Sequence, residues 1–464
     1  MPSNAIRLPL IVKQSNRDET VTKDARIING MVEMMAENDY HVYKRPGYLT
    51  YSSVTAGAAQ GAYNWESNIY TIVNGFMYRD GVLIGSGLDT AGGMYRFSST
   101  LGSTHRLVFQ NTGGSYYCTK IGGPTAITDV AYPPNQTPAI PIVPGLAYID
   151  GYTAVMTRSA AIYTSGINDP TTWNILDNLI AQIQPDSGVC LMKQMVYVIA
   201  FKQYSTEVFY DAGNAAASPL GPVQGAKMDI GCRTASSVRE LEGTLYWVSQ
   251  SFTSGTSVHL MNGLKPEQIS TEAIDRILHQ ADFTSVYSWA TRINGHRLYS
   301  VTLVNNNLTL VYDLTSKYWY QWTDANGNCL PFVDATFTND GQTLFQHATD
   351  GKLYKLEMTS YNDNGAAIPV DIYTPNFDGG TRKKKHLSRM DIVSDQISAG
   401  TLQIRFSDDD YQTWTAPRSV DLSNDIPNLI GCGTFRKRAF HFRHVADCPF
   451  RIQSVDLISQ VGTL

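Results

Sequence analysis

Apolar and polar residues alternate along most of this chain in short paired runs separated by turn residues, the pattern of antiparallel hairpins. Asn68-Ile69-Tyr70-Thr71-Ile72-Val73 runs into Asn74-Gly75 and then into Phe76-Met77-Tyr78-Arg79-Asp80-Gly81. Asn-Gly is the best short hairpin signal, because both turn residues must tolerate positive φ. Similar units follow: Gln194–Phe201 with Ser205–Asp211, Gly243–Val248 with Ser257–Gly263, Gly295–Val301 with Leu308–Leu314, and Thr343–His347 with Gly351–Leu356. They recur about every 45–50 residues, the length of a four-stranded propeller blade. Such a blade cannot bury both faces alone, so blades stack radially. The reading is an all-β β-propeller over residues 56–365, with five to seven degenerate blades and about six the central expectation.

The flanks read differently. Residues 1–55 look like an extended N-terminal arm with a short strand, without a core of their own and suited to docking; Pro46-Gly47 ends any element there. Residues 366–464 carry longer strands, at Ile368–Tyr373, Lys385–Val393, Gly400–Phe406, Phe435–His444 and Phe450–Ile458, and read as a separate β-sandwich-like domain. One helix is expected at Ser270–His279, with a Ser or Thr cap and Ile274, Ile277 and Leu278 on one face. A second short helix is expected from Trp173 to Ile183. The proline-rich stretch from Tyr132 to Gly145 reads as a loop or rigid linker.

Composition sharpens this picture. Of the 464 residues only 17% are charged, below the roughly 25% of an ordinary soluble domain. The formal net charge of −5 argues against tight gripping of nucleic acid through phosphates, while it suits a conduit to which DNA must not stick. Cys118, Cys190, Cys232, Cys329, Cys432 and Cys448 are scattered singly, so buried free thiols in a protein folded in a reducing cytoplasm are expected rather than a zinc site. No apolar run is long enough for a membrane span, and the N-terminus lacks a secretory pattern.

Candidate chemistry is sparse. Ser407-Asp408-Asp409-Asp410-Tyr411-Gln412-Thr413-Trp414 resembles the Asp-box of sialidases, with Tyr411 in place of its glycine, and Ile6-Arg7-Leu8-Pro9 superficially resembles their arginine motif. An Asp-box is a turn device and not a catalytic group, and only one degenerate copy occurs. No nucleophile elbow, zinc-protease motif or phosphate-binding glycine loop occurs. Asp363 and Asp371 lack the spacing of a calcium loop. No catalytic, cofactor or metal site is assigned. Two basic clusters stand out, Arg382, Lys383, Lys384 and Lys385 with His386, and Arg436, Lys437 and Arg438 with His441, Arg443 and His444. They would meet DNA phosphate in a channel or an acidic neighbouring subunit, or else keep an edge strand from unwanted pairing.

Residues 164–241 carry a loose but ordered series. Ser165-Gly166-Ile167-Asn168-Asp169-Pro170-Thr171-Thr172-Trp173 is followed by Gln184-Pro185-Asp186, Tyr204–Gly213 and Asp229-Ile230-Gly231-Cys232. With Lys23–Asn29, Lys44-Arg45-Pro46-Gly47, the Ser407–Trp414 hairpin and the Arg436–Arg443 strand, this succession resembles the tail nozzle proteins of short-tailed bacteriophages, also called tail hub or packaged-DNA stabilisation proteins. The resemblance implies a non-enzymatic virion protein without cofactor, assembled in the host bacterial cytoplasm. It implies a homo-oligomer, a hexameric ring below the phage portal and its adaptor, with tail fibre or spike proteins as further partners. Double-stranded DNA would be retained by this ring and then pass through it without sequence-specific binding. A carbohydrate-acting, sialidase-like propeller and a cellular interaction propeller are the alternatives. Turnover of a sialoside, lost on Arg7→Ala, would favour the first.

Overall fold

The Asn74-Gly75 turn forms as its chemistry requires: Asn74 takes φ 49° and Gly75 φ 76°, and strands Asn68–Val73 and Phe76–Arg79 pair across it. Repetition of such hairpins builds the molecule. The computed structural model describes residues 4–10, 24–34, 40–102, 104–127, 142–214, 216–396 and 400–462. Six antiparallel sheets stand as self-contained blades: residues 59–85, 96–126, 147–180, 188–222, 231–268, and 332–357 with Gly47–Ser53 added as the outer strand. A further sheet, at 286–321, takes the remaining place in the ring and runs on into the C-terminal part of the chain. The expectation of about six blades therefore describes the self-contained ones. Strand Phe332–Phe337 lies between Val286–Ile293 and Ala59–Trp65, which closes the circle. Large apolar side chains fill the joints between blades: Phe201 meets Trp247 at 5.1 Å, and Trp289 meets Phe345 at 4.9 Å.

The C-terminal part is a two-sheet sandwich whose strands come from both ends of the chain. One sheet runs Gly30–Met34, Tyr40–Lys44, Arg451–Val461, Lys385–Ser394, Asn428–Ile430, and Asn4–Leu8 also pairs with Arg451–Val461. The other runs Arg26–Ile28, Val370–Tyr373, Ala439–His444, Thr401–Ser407, Arg418–Asp421. It joins the 286–321 sheet through a parallel pairing of Ile28 with Gln321. Ile27, Met31 and Val32 pack with Ile372, Leu387, Phe442 and Leu457 in a core that continues into the propeller at Trp289, Trp322 and Phe345.

Three expectations are corrected. Residues 366–464 do not form a separate domain, because both sheets of the sandwich take strands from residues 4–44 and one runs on from the 286–321 sheet. The N-terminal segment is no coreless arm over its described residues: Ile27, Met31, Val32 and Val42 are fully buried, and Gly47–Ser53 completes a blade. Its apolar positions looked too few because their partners lie more than 300 residues away in sequence. The helix expected from Trp173 to Ile183 is instead the strand Asp169–Ile180, paired with Ala161–Gly166 through register shifts. Trp173 is buried and its indole N–H donates to the Pro170 carbonyl at 2.7 Å, while Ile175 and Leu176 lie exposed. Cross-strand pairing overrode a weak local helical period. The other helix forms at Glu272–His279, where the Thr271 side chain accepts from the Ile274 amide. Most of the proline-rich stretch lies outside the described residues.

Candidate functional site

The basic clusters divide by environment. Strand Lys385–Ser394 turns Lys385 inward, where its ammonium donates to the carbonyls of Thr381 (2.7 Å) and Lys383 (2.9 Å) and stands 5.5 Å from the Phe435 ring. Arg438 is also buried. It grips Asp408 with two hydrogen bonds of 2.7 and 2.8 Å and lies between Phe406 and Phe435 at 4.8 and 4.6 Å. Arg443 shares the carboxylate of Asp371 with His441, which approaches it at 2.6 Å. Lys437 pairs with Asp410. These four are engaged within the sandwich. Arg382, Lys383, Lys384 and Arg436 are exposed, and Arg436 donates to the Arg382 carbonyl at 2.9 Å, which draws the two clusters into one patch. No carboxylate pairs with these four among the described residues.

The other sequence candidates resolve into structure. In the Asp-box-like hairpin, the Asp409 carboxylate accepts from the Thr413 amide (3.0 Å), the Thr413 hydroxyl (2.5 Å) and the Ser407 hydroxyl (2.8 Å), which holds its pKa down to about 2. Tyr411 occupies the glycine position at φ 68°, and its hydroxyl donates to the Thr374 carbonyl. Trp414 packs on Tyr373 and Tyr411. The Asp409 contacts shape the turn, and those of Tyr411 and Trp414 fasten it to the end of strand Val370–Tyr373. Arg7 sits exposed on an edge strand, 3.6 Å from Asp456, and does not enter the propeller axis. Asp363 is taken by the buried Arg45 at 2.6 Å. The buried thiols of Cys118 and Cys190 are pushed up to about 12 and about 11 by desolvation, which makes them poor nucleophiles.

The propeller axis is the feature that sequence reading missed. The first strands of six blades line a funnel of about 720 Å³. Its floor is crossed by side chains. Arg96 reaches over from the 96–126 blade and donates to the Ala235 carbonyl at 2.7 Å, in a 3₁₀ turn that interrupts the first strand of the 231–268 blade. Arg239 donates to the carbonyls of Ser288 (2.9 Å) and Val333 (3.0 Å) and lies 3.5 Å from Asp334. Burial raises the Asp334 carboxyl to about 6. Tyr63 stacks on Phe97, with centroids 5.4 Å apart, in the wall. The one sequence signal was a lone charge inside the first strand of a blade, at Arg96, Arg239 and Asp334, visible only once the blades are in register. The chain's own axis is therefore obstructed, not an open bore.

Residues 27–361 match a family of phage stabilisation proteins described as bacteriophage P22 Gp10, beta-propeller. No curated protein is a significant match. Among solved structures, the N-terminal domain of Nup159 is 7% identical over 71% of this chain and 98% of that chain, with a TM-score of 0.39. The computationally designed Ika8 protein is 11% identical over 67% and 99%, with a TM-score of 0.35. YCF48 bound to D1 peptide is 13% identical over 68% and 99%, with a TM-score of 0.39. Likenesses this loose carry no argument about function.

Proposed function

The chain belongs to the phage stabilisation family described as bacteriophage P22 Gp10, beta-propeller, a family of structural tail proteins, and on that premise we propose that it is a subunit of the tail nozzle. Several copies, six in the simplest arrangement, form a ring below the portal and adaptor. The ring extends the DNA channel, retains the packaged DNA and conducts it during ejection.

The family match carries this reading, and the obstructed axis gives it a physical form. With Arg96, Arg239 and Asp334 across its centre, one propeller offers DNA no path, so a conduit must be bounded by the outer surfaces of several copies. A closed ring needs two different, complementary faces on each chain, repeated at every joint. The exposed patch of Arg382, Lys383, Lys384 and Arg436 supplies positive charge on a chain whose net charge is −5. Facing the channel, four such charges per copy would guide a duplex, and the surplus acid elsewhere would keep it from sticking.

The test is the state of assembly. Light scattering of the purified chain, alone and mixed with its adaptor ring, is expected to show a closed oligomer in at least the second case. A strict monomer under both conditions overturns the proposal.

A further inference from the structure

The axial funnel has a charge pattern that a structural role leaves unexplained. Asp334 is already committed: it lies 3.5 Å from Arg239 and accepts from the amides of Ala62 (3.3 Å) and Ala335 (3.0 Å). Arg96, on the same floor, makes no direct ion pair among the described residues, and the carboxylate it faces, Asp334, is the one Arg239 also holds. The hydrogen bond of Arg96 goes to a neutral acceptor, the Ala235 carbonyl, and its Nε is buried without a partner. Asp334 acts on Arg96 through space and is shared with Arg239, so the floor sets two guanidiniums against one carboxylate, and the surplus positive charge is costly to hold in a half-enclosed cavity. At the exposed rim Lys193 and Glu240 balance one another in charge, which leaves the surplus positive charge on the floor.

The walls above this floor mix apolar side chains with hydroxyls such as Ser98, Ser99 and Thr336. Phe97, Leu146, Met192 and Phe337 converge from four blades. A cavity of about 720 Å³ lies within the range of small-molecule sites, which combine apolar walls with a few placed polar groups. A guanidinium with free N–H donors matches a carboxylate in charge and in planar geometry.

We infer that the axial funnel binds a small organic carboxylate, with its anionic head on Arg96 and its apolar body against Phe97 and Phe337. This inference stands independently of the nozzle reading, because it concerns the inside of one propeller and not the surfaces between copies.

Titration calorimetry of the full chain with benzoate, benzamide and inorganic phosphate tests it. Benzoate is expected to bind saturably, with benzamide and phosphate each about tenfold weaker or worse, since one lacks the charge and the other the apolar body. Arg96→Met is expected to weaken benzoate by about tenfold or more. Asp334→Asn, which keeps the size, gives up one of the two amide hydrogen bonds and removes the competing negative charge, is expected to tighten it severalfold. The inference is overturned by absence of saturable benzoate binding, by equal binding of benzamide or phosphate, or by full affinity in Arg96→Met. Should Arg96→Met fail to fold, Asp334→Asn decides: unchanged or weaker benzoate binding in that variant overturns the inference. Oligomer formation plays no part in these readouts, so their failure leaves the nozzle proposal untouched.

Discussion

The propeller and the sandwich are both antiparallel β-structure, yet they are held together in opposite ways. In the self-contained blades nearly every strand pairs with its neighbour in sequence, across turns such as Asn74-Gly75 and, in the adjoining 286–321 sheet, Asn294-Gly295. In the sandwich, strands from the first 44 residues pair with strands beyond residue 369: Arg26–Ile28 with Val370–Tyr373, Asn4–Leu8 and Tyr40–Lys44 with Arg451–Val461. Local pairing closes small loops and forms early, while pairing between chain ends must wait for the whole chain. The propeller can thus act as the template on which the termini assemble. Gly47–Ser53 is the exception inside the ring, because it fastens the last blade with an N-terminal strand.

Removing residues 1–40 presses hardest on this difference. The deletion takes away Leu8, Leu10, Ile27, Met31 and Val32, all buried. At roughly 2 kcal/mol for each buried side chain the loss is about 10 kcal/mol, as large as the whole stability of an ordinary domain. It falls on the sandwich, while Gly47–Ser53 stays to close the ring. Hydrogen exchange is expected to show lost protection in Val370–Tyr373 and Arg451–Val461 and retained protection in the blades. Protected sandwich amides in the truncated chain would show that the termini are not structurally required.

Arg45→Ala strikes the seam between the regions. Arg45 donates to Asp363 at 3.0 and 2.6 Å, to Asn29 at 3.0 Å and to the Thr323 carbonyl at 3.0 Å, so one side chain ties the N-terminal strands to the end of the 286–321 sheet. Its removal leaves Asp363, itself only 3% exposed, as an unpaired buried carboxylate. The expected loss is about 3–5 kcal/mol, read by urea unfolding. It should be largely relieved in the double variant with Asp363→Asn.

How far the sequence could be read follows the same division. The Asn74-Gly75 hairpin and the Thr271-capped helix were legible because the residues that decide them are adjacent. Ile27 was not, because an isolated apolar residue says nothing about a partner strand at the other end of the chain. Trp173 misled because Trp173, Leu176, Ile180 and Ile183 fall at nearly helical intervals, whereas the exposed Leu176 and Ile180 show that no buried helical face exists. The basic clusters stood out in the sequence, but sequence could not separate Arg438, clasped between two Phe rings, from Arg436 two positions away in solvent. The axial arginines could not be told from any other lone charge in a strand, since their meaning arises only when blades converge.

Acid should separate the two regions by a smaller margin. Desolvation lowers His259, in the 231–268 blade, to about 4, and His444, in the sandwich, to about 3; His347, in the 332–357 blade, is lowered in the same direction. The folded values of His259 and His444 lie below the unfolded value near 6.5, so the unfolded chain binds the proton first. Stability is then full above pH 6.5 and is lost as pH falls toward each folded value. Between pH 7 and pH 5 His259 and His444 each give up about 2 kcal/mol. The propeller has an opposing group in Asp334, raised to about 6, which takes up its proton in the folded state and returns about 1.4 kcal/mol over the same window. His296, raised by its hydrogen bond to Asp313, also runs in the stabilising direction as pH falls. The sandwich is therefore expected to loosen first. Trp414 is the sandwich tryptophan, against six in the propeller, so its fluorescence isolated by Trp414→Phe subtraction reads the difference. Loss of both regions at one pH would remove the claim that they respond separately.

The smallest expected effect on stability concerns the surface patch, and there a null result is informative. Arg382, Lys383, Lys384 and Arg436 are exposed and hold no carboxylate among the described residues, so changing all four to Ala should move stability by less than about 0.5 kcal/mol per site in urea unfolding. Lys385 and Arg438, neighbours in sequence, serve as the contrast. Arg438→Ala gives up a bidentate pair with Asp408 and two ring contacts, and a loss of about 2–3 kcal/mol is expected. If the exposed four matter, they do so through something outside the chain. Particles carrying the fourfold variant should then assemble with normal stability yet release DNA with an altered salt dependence, because each phosphate no longer neutralised by a side chain lowers the salt slope by about one. A fourfold variant that unfolds the sandwich would instead place these residues with Arg438 as structural cations.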